Sequence, residues 1–271
     1  MKLRRSARIA DMTQHLLSRP HQIIPLTYFK ERYQAAKSSI SEDLQIIKET
    51  LQAEGSGQLM TLAGASGGVK YIPQVTNRQS KEWVAEWIDG LADPGRLLPG
   101  GYLYMTDYLS QPRVVNRIGR MFSSRFADAR VDYVMTVETK GIPLAYATAQ
   151  YLNVPFVIVR RDHRVTEGSV VSINYVSGSS KRIQTMSLSR RSIPKHAKVL
   201  LLDDFMKAGG TIRGMMDLLQ EFEAEMAGAC VFVESLATKE KLVDGVLSVI
   251  RLCAVDMETK KIQLEGGNIY D

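Results

Sequence analysis

The segment 199–211 has the clearest chemical potential in the sequence, because an apolar run ends there in two acids followed by Gly-Gly-Thr. Glycines at the start of a helix let backbone amides approach an anion closely, and the helix dipole favours a phosphate there. The two carboxylates can accept hydrogen bonds from vicinal sugar hydroxyls, directly or through a hydrated Mg²⁺, which prefers oxygen ligands. The sequence therefore predicts a ribose-phosphate site formed by Asp203, Asp204, Phe205, Met206, Lys207, Ala208, Gly209, Gly210 and Thr211.

A second loop has a similar position. Glu138, Thr139, Lys140 and Gly141 stand between an apolar run and a helical pattern. Backbone amides in such a turn can face an anion. By itself this turn is an ordinary connection between a strand and a helix, but together with segment 203–211 it favours a second anion-binding loop.

Strand-like and helical runs alternate around these two loops. Strands separated by helices of this length indicate an α/β fold with a mostly parallel sheet, in which ligands bind at the carboxyl ends of the strands. The strand-like runs are 102–105, 131–137, 154–159, 199–202 and 229–233, and the helical runs are 114–122, 142–152 and 211–222. Tyr102, at the start of the first run, is either a ligand contact or a buried aromatic residue.

The first 73 residues show a different pattern, three helices followed by a hairpin. Apolar residues at helical spacing predict helices over about 4–18, from Pro25 onward, and after a capping box of Ser39 and Glu42. Strand-like runs 58–62 and 69–72 flank a glycine-rich turn. This order is typical of a winged helix, whose third helix enters a DNA groove while its wing lies against the backbone.

The predicted DNA contacts lie on the third helix and on the wing. Short polar groups on the outer face of that helix suit contacts with base edges and phosphates in a major groove. The residues are Lys37, Ser38, Ser39, Ser41 and Lys70. A module that binds other proteins has the same order of elements, and it stays open as an alternative.

Charge is unevenly distributed between these two parts. The 271 residues carry a net charge of +6, and residues 1–73 hold 10 of the 35 Lys and Arg against 6 of the 29 acids. A small basic segment is typical of a protein that binds nucleic acid, because its cations neutralise phosphates and the release of counterions drives binding. An ordinary solvated surface would have the same charge. The polar stretch 73–80 separates the two parts, so we predict a winged-helix domain over 1–73 and an effector-binding domain over 80–271.

Several other classes of protein are excluded. The sequence has no apolar run of the length of a membrane span and no apolar signal core at its start. Cys230 and Cys253 lie in apolar runs and are expected as reduced core residues, and the four histidines lack metal-ligand spacing. We therefore expect a cytoplasmic protein that binds no metal directly.

The 203–211 motif resembles the phosphoribosyl pyrophosphate (PRPP) motif of the type I phosphoribosyltransferases. The resemblance implies that loop 138–141 holds pyrophosphate, that Arg160 and Arg161 reach it, and that the basic segment to Arg191 is a mobile loop over the ligand. Contact with DNA or exposure to solvent is the alternative for those arginines. Most of the enzymes have small residues where this chain has Lys207 and Ala208, which argues against turnover.

Taken together, both halves resemble the purine operon repressor family of Gram-positive bacteria. The segments that carry the resemblance are KSSISEDL at 37–44, AGASGGVKYIP at 63–73, SINYVSGSSKRIQTMSL at 172–188 and DDFMKAGGT at 203–211. It implies PRPP, with Mg²⁺, as effector and a homodimer that binds double-stranded DNA upstream of purine genes, as activator or repressor. An active purine phosphoribosyltransferase with an accessory N-terminal domain is the alternative.

Overall fold

The computed structural model describes residues 3–64, 67–162, 168–176, 183–238 and 240–270. These residues form eight α-helices and twelve β-strands. None of the helices among them has the length and apolar character that crossing a bilayer requires.

The N-terminal unit consists of three helices and a hairpin. They are α1 (Arg5–Leu17), α2 (Leu26–Tyr33) and α3 (Lys37–Ala53), followed by the antiparallel strands β1 (Gly57–Leu62) and β2 (Gly68–Pro73). Apolar residues spaced along one face of each helix form a common core, among them Met12, Leu16, Phe29, Ile40 and Ile47. The predicted order of elements is confirmed.

The start of α3 differs from the prediction. Helix α3 begins at Lys37 and no side chain caps it, so the predicted capping box of Ser39 and Glu42 is wrong. A capping box does begin α4 (Asn77–Leu91), where the Thr76 hydroxyl accepts the Gln79 amide at 3.2 Å. The predicted linker is therefore helical from Asn77 onward.

The larger unit continues with a series of strands and helices. They are β3 (Leu97–Leu98), β4 (Tyr102–Leu103), α5 (Thr106–Leu109), α6 (Pro112–Arg125), β5 (Tyr133–Val137), α7 (Ile142–Leu152), β6 (Phe156–Val159), β7 (Val170–Val176), β8 (Ile183–Ser189), β9 (Lys198–Met206), α8 (Gly210–Glu221), β10 (Glu225–Ser235), β11 (Leu247–Asp256) and β12 (Lys261–Gly266).

Six of these strands form the central sheet, in the order β12-β11-β10-β9-β5-β6. All neighbours are parallel except β11 and β12, which confirms a mostly parallel sheet. Strand β9 is buried on both faces: Leu200 and Leu202 pack with α4, α6 and α7, whereas Val199 and Leu201 pack with α8. Burial on both faces explains why this strand is an uninterrupted apolar run.

Three expectations about the strands are corrected. Run 102–105 is not a strand of the sheet, because only β4 is extended and it pairs with β3 in a separate ribbon. Strand β9 continues through Met206, so both acids lie inside the strand. Strand β12 was not predicted, and Cys253, in the strand-like run that forms β11, is half-buried rather than in the core, while Cys230 is buried as expected.

The basic segment 160–191 contains two strands that were not predicted. Strands β7 and β8 pair in an antiparallel ribbon, and buried Tyr175 and Met186 pack against Gly214 of α8. Residues 170–176 and 183–189 are therefore strands whose apolar side chains pack on a helix, and the mobility predicted for this segment stays a prediction. The predicted basic residues Arg164, Lys181 and Arg182 lie outside the described residues.

Candidate functional site

A pocket of about 520 Å³ opens at the carboxyl ends of β5 and β9. The predicted residues that line it come from four separate segments of the chain: 203–211, 138–140, Arg161 and Tyr102. Parallel sheets bind ligands at this edge, because the strand ends and the helix N-termini converge there. Most of the residues predicted to bind a ligand are thus brought together.

The loop between β9 and α8 is shaped to receive an anion. Gly209 has a φ of 87°, and a Cβ there would lie 2.6 Å from Val243, so a glycine is required. The first amides of α8 have no acceptor within the helix. In the described part of the chain, the amides of Ala208 and Gly209 donate to no acceptor either. The loop therefore presents several unpaired donors.

The two acids differ in burial. Asp203 is 8% exposed and Asp204 is half-buried, and an oxygen of Asp203 accepts the Asp204 amide at 2.9 Å. Burial, together with the negative charge of Asp204, raises the pKa of Asp203 well above its ordinary value. Sugar hydroxyls or the waters of a hydrated Mg²⁺ would satisfy both carboxylates, so the pair fits either ligand.

The carboxylate of Glu138 ties two strand ends together. One oxygen accepts Nη1 of Arg160 at 3.1 Å, and the other accepts the backbone amide of Arg161 at 2.8 Å. Arg161 lines the pocket, whereas Arg160 does not. Gly141 lies beneath the pocket, where a Cβ would overlap the Thr136 hydroxyl. Glu138 and Gly141 therefore hold the loop in place, and Thr139 and Lys140 face the cavity.

Tyr102 lines the pocket, as one of its two predicted roles requires. It is 36% exposed, so the alternative of a buried aromatic residue is wrong. Its ring centroid lies 6.4 Å from that of Phe205 and 5.3 Å from the ammonium nitrogen of Lys207. A cation over an aromatic face is attracted by the ring quadrupole, and these three side chains form one cluster in the pocket lining.

Some lining residues were missed by sequence reasoning. They are Leu98, Leu103, Met105, Val137, Asp162 and Ile212. Asp162 directly follows the two arginines after β6, and that position after a strand could have indicated it. Leu98 and Leu103 of the β3–β4 ribbon carried no such signal, because only tertiary packing brings the ribbon to the pocket.

The residues predicted to contact DNA lie on the surface of the N-terminal unit. Lys37, Ser38 and Ser41 are exposed on the first turns of α3, whereas Ser39 and Lys70 are half-buried. Beneath this face the buried Asp43 accepts Nε of Arg8 at 2.5 Å and Nε of Arg5 at 3.1 Å. These bonds connect α1 to α3, and the sequence did not predict them.

Comparison with known proteins agrees with this architecture. The family model described as "Bacterial purine repressor, N-terminal" matches residues 4–73, and the model described as "Phosphoribosyl transferase domain" matches residues 105–264. The fold resembles that of adenine phosphoribosyltransferase from Thermoanaerobacter pseudethanolicus, with a TM-score of 0.54 and 19% identity over 61% of this chain and 98% of that one.

Full-length relatives are more similar in sequence. The chain is 57% identical to the purine biosynthesis transcriptional repressor PurR of Bacillus subtilis, across 99% of this chain and 94% of that protein. It is 42% identical to the purine biosynthesis transcriptional activator PurR of Lactococcus lactis, across 99% of both. The chain therefore belongs to the bacterial purine repressor family of transcriptional regulators, with an N-terminal DNA-binding domain and a domain of phosphoribosyltransferase fold.

Proposed function

We propose that this protein is a cytoplasmic regulator of purine genes that binds double-stranded DNA as a homodimer and senses PRPP, with Mg²⁺, in the pocket at the ends of β5 and β9. The observation that carries the proposal is the pocket itself. It unites an anion loop with unpaired amides, a pair of acids and a second anion loop, in a chain of the bacterial purine repressor family. Its relatives include a repressor and an activator.

Each part of PRPP has a chemical counterpart in the pocket. The amides of loop 207–211 suit the 5-phosphate at the start of α8. Asp203 and Asp204 suit the ribose hydroxyls, and Lys140 with Arg161 suits the pyrophosphate. Bound Mg²⁺ would neutralise charge between the pyrophosphate and the acids.

We propose further that PRPP is bound and not consumed. A transferase must admit a nucleobase beside the ribose. Here the side chains of Tyr102, Phe205 and Lys207 form a cluster in the lining of the pocket and take up space there. The alternative, an active purine phosphoribosyltransferase, is favoured by the paired acids and Gly-Gly-Thr, and by 33% identity over 144 residues to a xanthine phosphoribosyltransferase of Limosilactobacillus fermentum, covering 52% of this chain and 74% of that protein.

An effector changes DNA affinity only if it binds two states of the protein unequally. The contacts between the two units are the candidate for the element that changes. Arg120 of α6 donates to the carbonyl oxygens of Gly55 at 3.2 Å and Gln74 at 2.8 Å. Helix α6 packs closely on α7, where Gly119 meets Ala147, and α7 begins directly after the second anion loop.

Parallel measurement of binding and turnover tests the proposal. The purified protein is mixed with PRPP, Mg²⁺ and each purine base in turn, and the heat of PRPP binding and the release of pyrophosphate are recorded. We expect binding heat without pyrophosphate release. Steady release would instead establish a transferase.

A double substitution tests the location of the site. Asp203→Ala with Asp204→Ala should abolish the response of DNA binding to PRPP and leave DNA binding itself intact, since the acids lie in the pocket and far from α3 in sequence. Asp217→Ala with Glu221→Ala on α8 is the matched control, because it removes the same charge outside the pocket. An unchanged PRPP response in the first variant would contradict the site.

A further inference from the structure

We propose that Lys241 is a positioning residue that holds loop 207–209 in its phosphate-binding conformation, an inference that rests on the proposed function. Lys241 lies outside the pocket lining. It follows strand β10 and belongs to none of the motifs that the sequence indicated.

The ammonium group of Lys241 has a partner for each of its three donor hydrogens. It donates to the carbonyl oxygen of Lys207 at 2.8 Å and to that of Ser235 at 2.5 Å, and it lies 3.4 Å from a carboxylate oxygen of Glu234. An ammonium has three donors and no acceptor. Lys241 therefore links the end of β10 directly to the loop that follows β9.

The two residues after Lys241 strengthen the same contact. The amide of Leu242 donates to the carbonyl oxygen of Ala208 at 2.8 Å. The side chain of buried Val243 fills the space beside Gly209. Segment 241–243 therefore contacts all three residues of the loop, and none of its own residues lines the pocket.

These contacts determine which way the loop amides point. The carbonyl and amide groups of a trans peptide unit point in opposite directions. In the described part of the chain the peptide bonds of residues 207–209 are trans. Because Lys241 and Leu242 hold the carbonyl groups of Lys207 and Ala208, the amides of Ala208 and Gly209 are turned to the other side, toward the pocket.

The position of Lys241 is itself well defined. Its side chain is 18% exposed and that of Glu234 is 12% exposed. Glu234 also accepts the hydroxyl of Ser248 at 3.1 Å and lies 3.8 Å from Nε of Arg251. Partly buried charge-assisted hydrogen bonds are stronger and better oriented than exposed ones, so Lys241 is suited to fixing a loop.

The test separates the two ends of the ligand. Ribose 5-phosphate probes loop 207–211, and inorganic pyrophosphate probes loop 138–141. Calorimetric titration of the full-length Lys241→Met variant should show a roughly tenfold loss of affinity for ribose 5-phosphate, the size of one charged hydrogen bond. Affinity for pyrophosphate should stay the same. Lys241→Arg, which keeps the charge and several donors, should restore most of the lost affinity.

A matched control uses a lysine elsewhere on the surface. Lys195 pairs with Glu223 at 2.5 Å and lies outside the pocket lining, so Lys195→Met should change neither affinity. If Lys241→Met does not fold, Lys241→Gln is tested in its place, and its affinities for ribose 5-phosphate and for pyrophosphate are compared in the same way. An equal loss of affinity for both ligands in Lys241→Met, or no loss of affinity for ribose 5-phosphate, would overturn the inference. The proposed function would still be supported if the wild-type protein bound both ligands. A wild-type protein that binds neither probe would contradict the proposed function, and this inference with it.

Discussion

Asp43 in the N-terminal unit and Asp203 in the pocket are both buried carboxylates, but their surroundings differ. Asp43 is fully buried, and its two oxygens accept hydrogen bonds from Arg5 and Arg8. Asp203 is buried beside a second acid, Asp204, and burial raises its pKa. A buried charge with matched partners connects parts of the fold, whereas one held next to a like charge is typical of a binding site.

The same contrast extends to the surroundings of each acid. Around Asp43, the charged groups are paired, and the ion pairs with Arg5 and Arg8 connect helix α3 to α1. Around Asp203, two carboxylates and the amides of Ala208 and Gly209 converge on a cavity, and those two amides have no acceptor in the described part of the chain. Unpaired polar groups and neighbouring like charges lower the stability of the folded state, and a bound ligand supplies the hydrogen bonds that these groups lack. Three substitutions test this comparison, in order of decreasing expected effect.

Removal of Asp43 should have the largest effect. Asp43→Ala leaves the guanidinium of Arg8, whose side chain is 12% exposed, without its partner, and should lower the free energy of unfolding of the N-terminal unit by about 3 kcal/mol. Thermal unfolding measures the loss of stability, and DNA affinity shows its effect on the N-terminal unit. Glu42→Ala, at an exposed partner of Arg5, should change little. If Asp43→Ala also lost PRPP binding, the stability of the N-terminal unit and ligand binding in the pocket would not be independent, which would contradict the comparison.

Replacing Asp203 by a neutral residue should change stability in the opposite direction, by increasing it. Because the pKa of Asp203 is raised above its ordinary value of 3.8, the folded state binds the proton more tightly than the unfolded state. Stability then falls as the pH rises above that value. Asp203→Asn should therefore raise stability at neutral pH by about 1 kcal/mol and remove this pH dependence, while it weakens PRPP binding. A lower melting temperature at neutral pH would contradict the comparison.

Loosening the junction between the units should have the smallest effect. Arg120→Ala removes the hydrogen bonds to Gly55 and Gln74, so the effect of PRPP on DNA affinity should shrink about fivefold, or about 1 kcal/mol of coupling. Affinity for each ligand alone should be unchanged, because Arg120 contacts neither site. Arg113→Ala, exposed on the same helix, is the control. Full coupling in Arg120→Ala would exclude this junction as the element that responds.

Much of the fold followed from local patterns. The bounds of α7 and the order of helices and hairpin in the N-terminal unit were predicted from apolar periodicity. The ribbon of β7 and β8 was not predicted, although polar residues such as Ser172, Asn174 and Thr185 alternate with its apolar ones as in a half-buried strand, because the basic and small polar residues of the segment were interpreted as a loop. The capping box at Ser39 was wrong because the same short polar side chains also occur inside a first turn.

The sequence by itself determined the residues that can bind an anion and a sugar, since loop 203–211 is contiguous and its chemistry follows from neighbouring residues. Only the tertiary structure decided which distant groups support that loop. Lys241 reaches Lys207 across 34 residues, and Arg8 reaches Asp43 across 35. The physical reason is that hydrogen bonds and ion pairs depend on surfaces that meet only when the sheet and helices pack.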